Sequence, residues 1–184
     1  MLSQQTTQQI VSEIAAVFRE SDMSQEKKLI RDILHAKVIV TAGAGRMGLP
    51  AKAFSMRLGQ LGLTSFTLND SAVPHIGKGD LLVVCSGSGE IATMVAVAKV
   101  AKKNKCKIAL ITCTEKSTIA DIADVKIILS ICQNNEHCEN RSIQPMKTLM
   151  EQCSFIYFDS LVLKLMEKLQ MDENDMWANH SIFD

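Results

Sequence analysis

The residues best suited to chemistry lie between positions 81 and 93. Leu81 to Cys85 is a short apolar run with the character of a buried parallel strand, and Ile91 to Lys103 repeats with helical periodicity. Between them stand Ser86, Gly87, Ser88 and Gly89, two hydroxyls interleaved with two glycines. Glycine lets a backbone turn tightly and approach a ligand, and the first amides of a following helix point outward without partners. Hydroxyls beside such amides form an anion site made of neutral donors, which suits a phosphate. A strand-to-helix turn needs glycine on its own account, but it does not need two serines. Glu90 and Thr93 border the same loop, the first as loop support or a sugar contact, the second as a further hydroxyl.

A second glycine loop lies upstream. Gly43-Ala-Gly45-Arg46-Met47-Gly48 is a literal G-x-G-x-x-G after one apolar run and before a helical segment. Asp70 falls about where a dinucleotide fold has its ribose carboxylate, so a nicotinamide-binding protein is a real alternative. Against it stand the second glycine-serine loop, the lack of length for a substrate domain, and Arg46, which suits a sugar or phosphate contact.

These loops need a scaffold, and the apolar patterning supplies one. Strands are expected at 37–41, 65–68, 80–85, 107–112 and 125–130, alternating with helices near 47–60, 89–103 and 117–123. Ahead of them, residues 7–34 read as two helices broken at Asp22-Met-Ser24, with Ser24 capping the second. After Pro145 a long apolar helix runs to about Leu169, followed by a short tail. Strand and helix alternating at this spacing predict an α/β protein. It is a doubly wound, flavodoxin-like α/β/α sandwich in three layers, with a five-stranded parallel sheet and ligands at the carboxyl ends of the strands.

Composition excludes several classes. The chain has 184 residues, 47% of them apolar and 22% charged, with a formal net charge of +0. That fits one folded domain and offers no basic surface for nucleic acid or a membrane. No export signal or membrane span is evident, and Cys85, Cys106 and Cys113 fall in or beside core strands as reduced thiols, so a cytoplasmic location is expected. His137 with Cys132 and Cys138 fits no paired zinc spacing, and no metal or other cofactor is expected.

Five stretches, in order, resemble the sugar isomerase (SIS) domain family, in particular its 6-phospho-3-hexuloisomerase branch. They are Gly43–Leu58, Gly77–Leu81, Ser86–Glu90, Gln144–Gln152 and the tail Asn179–Asp184. The resemblance covers the whole chain and implies one domain over 1–184, with helices over 1–35, a sheet core over 36–131, and a terminal helix and tail over 144–184. The chain departs from the family pattern at Met47 and Ile91, each of which removes a hydroxyl. It departs again at Lys147, where the family has glycine, and at Asn179 and Asp184 in the tail.

The resemblance implies a phosphosugar substrate, most specifically the interconversion of 3-hexulose 6-phosphate and fructose 6-phosphate, and a homotetramer with sites completed across subunits. Moving a ketone between adjacent carbons requires a base, a proton shuttle and a phosphate anchor. The anchor is read as Ser86, Gly87, Ser88, Gly89 and Thr93, with Gly45, Arg46 and Glu90 as further substrate contacts. Glu151 is the implied base, in an apolar setting supplied by Met150, Phe155, Ile156 and Phe158. A first-turn glutamate answering the helix dipole is the alternative for that residue. His180 is the implied shuttle, and His75 reaches the crevice only from a neighbouring subunit or a folded-back loop.

Overall fold

The order of the strands decides where the two glycine loops meet. In the computed structural model, which describes residues 2–131 and 142–182, the chain begins with helices α1 (Leu2–Glu20) and α2 (Glu26–His35). It continues through β1 (Ile39–Gly43), α3 (Gly48–Gln60), β2 (Ser65–Thr67), β3 (Leu81–Cys85), α4 (Ala92–Lys103), β4 (Lys107–Thr112), α5 (Thr118–Ile122) and β5 (Val125–Ile128). Helices α6 (Thr148–Leu169) and α7 (Glu173–Ala178) close it. Residues Cys132, His137 and Cys138 of the discounted metal reading, and Asp184 of the tail, lie outside the described residues.

All five strands are parallel, in the order β2-β1-β3-β4-β5. The winding direction therefore reverses between β1 and β3, and their carboxyl ends open a crevice there. Gly43 pairs with Cys85 as the last rung between these strands, which puts the two loops side by side.

Alternation along each strand builds two cores. Ile39, Leu81, Val83, Cys85 and Ile111 face a layer made by α1, α2, α3 and α6, with Leu29, Phe54, Leu58, Phe158 and Leu165 buried against them. Val40, Leu82, Val84, Ile108 and Leu110 face α4 and α5 through Met94, Ala98, Ala101 and Ile119. Each large apolar side chain so buried contributes roughly 1.5–3 kcal/mol. Phe54 and Phe158 stack with ring centroids 4.4 Å apart, which fixes α3 against α6.

Three boundaries differ from the sequence reading for local reasons. Ser24 does not cap α2, because Asp22 takes both its amide (2.8 Å) and its hydroxyl (2.8 Å), and the helix starts after Gln25 with no side-chain cap. The same turn serves the sheet: Asp22 bridges Ile128, and Gln25 Oε1 accepts the Lys126 amide at 3.0 Å, which covers part of the free edge of β5. Helix α6 starts at Thr148 rather than Pro145, because Met146 is left-handed (φ 56°) and the Thr148 amide bonds back to the Pro145 carbonyl at 3.2 Å. Finally, part of the tail is helical: α7 starts from a capping box between Asp172 and Asp175, a short D-x-x-D signal.

Candidate active site

Serine loop 86–89 folds on itself at the mouth of the crevice. The Ser86 hydroxyl accepts the Gly89 amide at 3.2 Å, and the Ser88 hydroxyl accepts the Glu90 amide at 3.3 Å. Ser86 is fully buried, so in this arrangement it shapes the loop from beneath, while Ser88 is half-exposed at the surface. The Gly87 carbonyl accepts the Thr112 hydroxyl at 3.0 Å and the Thr114 hydroxyl at 3.2 Å, which ties the loop to the end of β4. Gly89 is left-handed (φ +63°), and a Cβ there would overlap the Ser117 hydroxyl, itself the cap of α5. Helix α4 begins after Ile91 with no side-chain cap, so its first amides stay available beside exposed Thr93.

Glu90 is spent on the scaffold. Its carboxylate accepts the Thr118 amide at 2.6 Å and the Thr118 hydroxyl at 2.8 Å, and these bonds hold it below the usual carboxylate range. Asp70, the residue of the dinucleotide alternative, closes a turn on the Thr67 amide at 2.7 Å and hydroxyl at 2.8 Å.

The other wall of the crevice comes from the first turn of α6. Gly45 (φ +57°, with open space where a Cβ would be) turns the backbone so that Arg46 reaches across. Arg46 Nη1 donates to Glu151 Oε2 at 2.5 Å and to the Thr148 hydroxyl at 3.0 Å. Glu151 Oε1 has no hydrogen-bond partner among the described residues. The helix thus returns to the carboxyl edge within one subunit. Cys85, the last residue of β3, registers it: burial pushes the thiol up to about 12 against a hydrogen bond with Ser154, and Cys113 and Glu151 add to the rise.

The expected apolar setting of Glu151 needs correcting. Met150 and Phe158 are buried in the core, and Phe155 and Ile156 are exposed on the outer face of α6, so the nearest partner of the carboxylate is a guanidinium. Met47 is buried too, and its departure from the family pattern faces the core rather than a ligand.

His180 is not brought to this crevice within the subunit. It packs on Trp177 with ring centroids 4.8 Å apart and shares a hollow with Arg57 and Gln60 at the last turn of α3, near the amino edge of the sheet. Exposed His75 lies near Gly77, just ahead of β3 and likewise toward that edge. The sequence reading missed two contributors. Thr148 supports Arg46, and Glu13 of α1 clasps the approach to α6 by accepting the Ser142 hydroxyl (2.6 Å), the Ile143 amide (3.0 Å) and the Gln144 side chain (3.3 Å). Burial alone would raise the Glu13 carboxyl, but these bonds hold it below its ordinary value.

The SIS domain profile matches residues 32–158, and the chain belongs to the SIS domain family. It is 36% identical over 155 residues to the 3-hexulose-6-phosphate isomerase of Bacillus subtilis, covering 84% of each chain. It is 33% identical over 169 residues to the enzyme of the same name from Mycobacterium gastri, covering 92% of this chain and 85% of the relative. A crystal structure from Methanococcus jannaschii, for which a 3-hexulose-6-phosphate isomerase function was inferred, superposes with a TM-score of 0.81 at 30% identity, covering 94% of this chain and 95% of that one. Among the described residues, no helix is long and apolar enough to cross a membrane.

Proposed function

We propose that this protein is a cofactor-independent phosphosugar isomerase that interconverts 3-hexulose 6-phosphate and fructose 6-phosphate, acting in the cytoplasm. The observation that carries the reading is the oriented Glu151 carboxylate, with Oε2 on Arg46 and Oε1 open, beside the serine loop where β1 and β3 end. Relatives 33–36% identical bear the name of that reaction.

In the proposed mechanism the phosphate docks beside Gly89, at the Ser88 hydroxyl and the first amides of α4, with Thr93 as a flanking hydroxyl. Glu151 Oε1 takes the proton from C2 of 3-hexulose 6-phosphate, and the C–H electron pair forms the C2–C3 double bond of an enediolate. The same carboxyl returns the proton to C3, which leaves the carbonyl at C2. Arg46 lies where it can stabilise charge on the oxygens of the intermediate, while a second group moves a proton between O3 and O2. His180 of a neighbouring subunit is the proposed shuttle, since its own subunit holds it near the opposite edge.

That role requires assembly, and we infer a homotetramer. Phe155, Ile156 and Leu163 on α6 and Leu49 and Met56 on α3 are exposed on two helices that pack together.

The test is hydrogen exchange. Fructose 6-phosphate incubated with the protein in D2O should exchange the hydrogen at C3 and yield 3-hexulose 6-phosphate, both visible by NMR. Binding without exchange would identify a sugar-phosphate sensor, and exchange in a different phosphosugar would reassign the substrate.

A further inference from the structure

The departure at position 147 lies directly over the serine loop. A methyl group built on Gly87 would lie 3.4 Å from Lys147 Cδ and 3.6 Å from its Nζ, so the ammonium sits against the floor of the proposed phosphate cradle. The Pro145–Thr148 turn brings it there: left-handed Met146 points away, wholly exposed, and Lys147 takes the next position, immediately ahead of α6. Lys147 is exposed, and none of the ion pairs among the described residues uses it. Arg46, another cation of the crevice, is already engaged by Glu151 and Thr148. The loop itself is short of free hydroxyls, because Ser86 is buried beneath it and Ile91, the residue ahead of α4, offers no capping group.

From this geometry we propose that Lys147 is a substrate-binding residue that supplies the positive charge of the phosphate site, turning a cradle of neutral donors into a charge-assisted one. The proposal rests on the isomerase reading for the identity of the sugar, but not for the anion. A phosphate monoester carries close to two negative charges at neutral pH, and an ammonium beside it gains both a hydrogen bond and a Coulomb attraction that salt weakens. The lysine is tethered to the helix that carries Glu151, four residues on, so anchoring the phosphate also draws the catalytic turn toward the substrate.

The experiment compares the parent chain with K147M, K147G and K147R. Calorimetry would use fructose 6-phosphate and inorganic phosphate as probes at low and high salt, with uncharged fructose as control. Because the side chain is exposed and has no ion pair among the described residues, thermal unfolding should show all three variants folded. Expected are an affinity loss of about tenfold or more for both anions in K147M and K147G, a shallower salt dependence in those two, and substantial retention in K147R. In turnover, KM should rise more than kcat falls, as for a contact to a non-reacting part of the substrate. Equal or tighter anion binding by K147M would overturn the proposal and identify the lysine as an obstruction. If the parent binds inorganic phosphate through Lys147 but no fructose 6-phosphate, the isomerase reading fails while the anion site stands.

Discussion

Arg46 and Glu151 are 105 residues apart in sequence and share a hydrogen bond of 2.5 Å across the crevice between the two halves of the sheet. One comes from the loop after β1 and the other from the first turn of α6, so the pair joins the strand layer to its covering helix at the carboxyl edge of the sheet.

Replacing Glu151 with Gln keeps the shape and an oxygen for Arg46 but removes the basic lone pair. Turnover should fall by about 10²-fold or more, with fructose 6-phosphate affinity preserved in calorimetry. Near-normal turnover would transfer the role of base to another residue, with His180 the next to test.

Arg46 holds Glu151, the proposed base, from a single nitrogen that also bonds Thr148. Arg46→Ala should therefore lower kcat sharply and move the melting temperature little. With a side chain 53% exposed, the ion pair itself contributes less than about 1 kcal/mol to folding. A large loss of stability with retained kcat would make the pair structural.

Gly89→Ala should cost about 2 kcal/mol or more, because the left-handed backbone and the overlap with Ser117 act together. Adding Ser117→Gly removes the overlap but not the backbone strain, so denaturant melts of the double variant should recover part of the loss. Full stability in the single variant would mean that the loop does not hold this shape in solution.

Acid sensitivity should centre on Asp124, which links Lys102 of α4 (2.9 Å) to the Ile108 amide of β4 (2.9 Å). Burial would raise its carboxyl, but Lys102, the Ile108 amide and the charge of Lys28 hold it below the ordinary 3.8. A carboxylate lowered in the folded state stabilises fully above its unfolded value, and that contribution fades as pH falls through the folded one. Asp124→Asn should thus be less stable at pH 7 yet lose less stability than the parent below pH 3.8. Parallel curves of unfolding free energy against pH would remove Asp124 from the account.

Assembly should yield to charge on the outer helix face. Ile156→Glu with Leu163→Glu alters exposed positions and should turn an oligomer into smaller species in light scattering, with activity lost if His180 enters from a neighbour. A parent chain that is monomeric at micromolar concentration would sink the assembly claim.

The scaffold was more legible than the site. Apolar runs such as Leu81–Cys85 and Lys107–Thr112 register strand character locally, and both strands form over those spans. The two glycine loops were likewise readable, because the need for a turn is written in adjacent residues. The union of Arg46 with Glu151 and Thr148 was not, since it arises only when α6 folds back over more than a hundred residues. The same distance hid Lys147 against Gly87, which looked like an isolated departure until the helix was in place. Ser24 failed as a cap because a carboxylate two residues earlier competed for it, a contest that residue preferences do not weigh.

Glu13 has a practical consequence for anyone who trims this protein. The SIS profile begins at residue 32, which invites a shortened version that starts there. Such a version would lack the carboxylate that grips Ser142, Ile143 and Gln144, the three residues leading into the turn that presents Lys147 and Glu151. Domain boundaries for expression, tags and fusions should therefore respect α1 as part of the working unit.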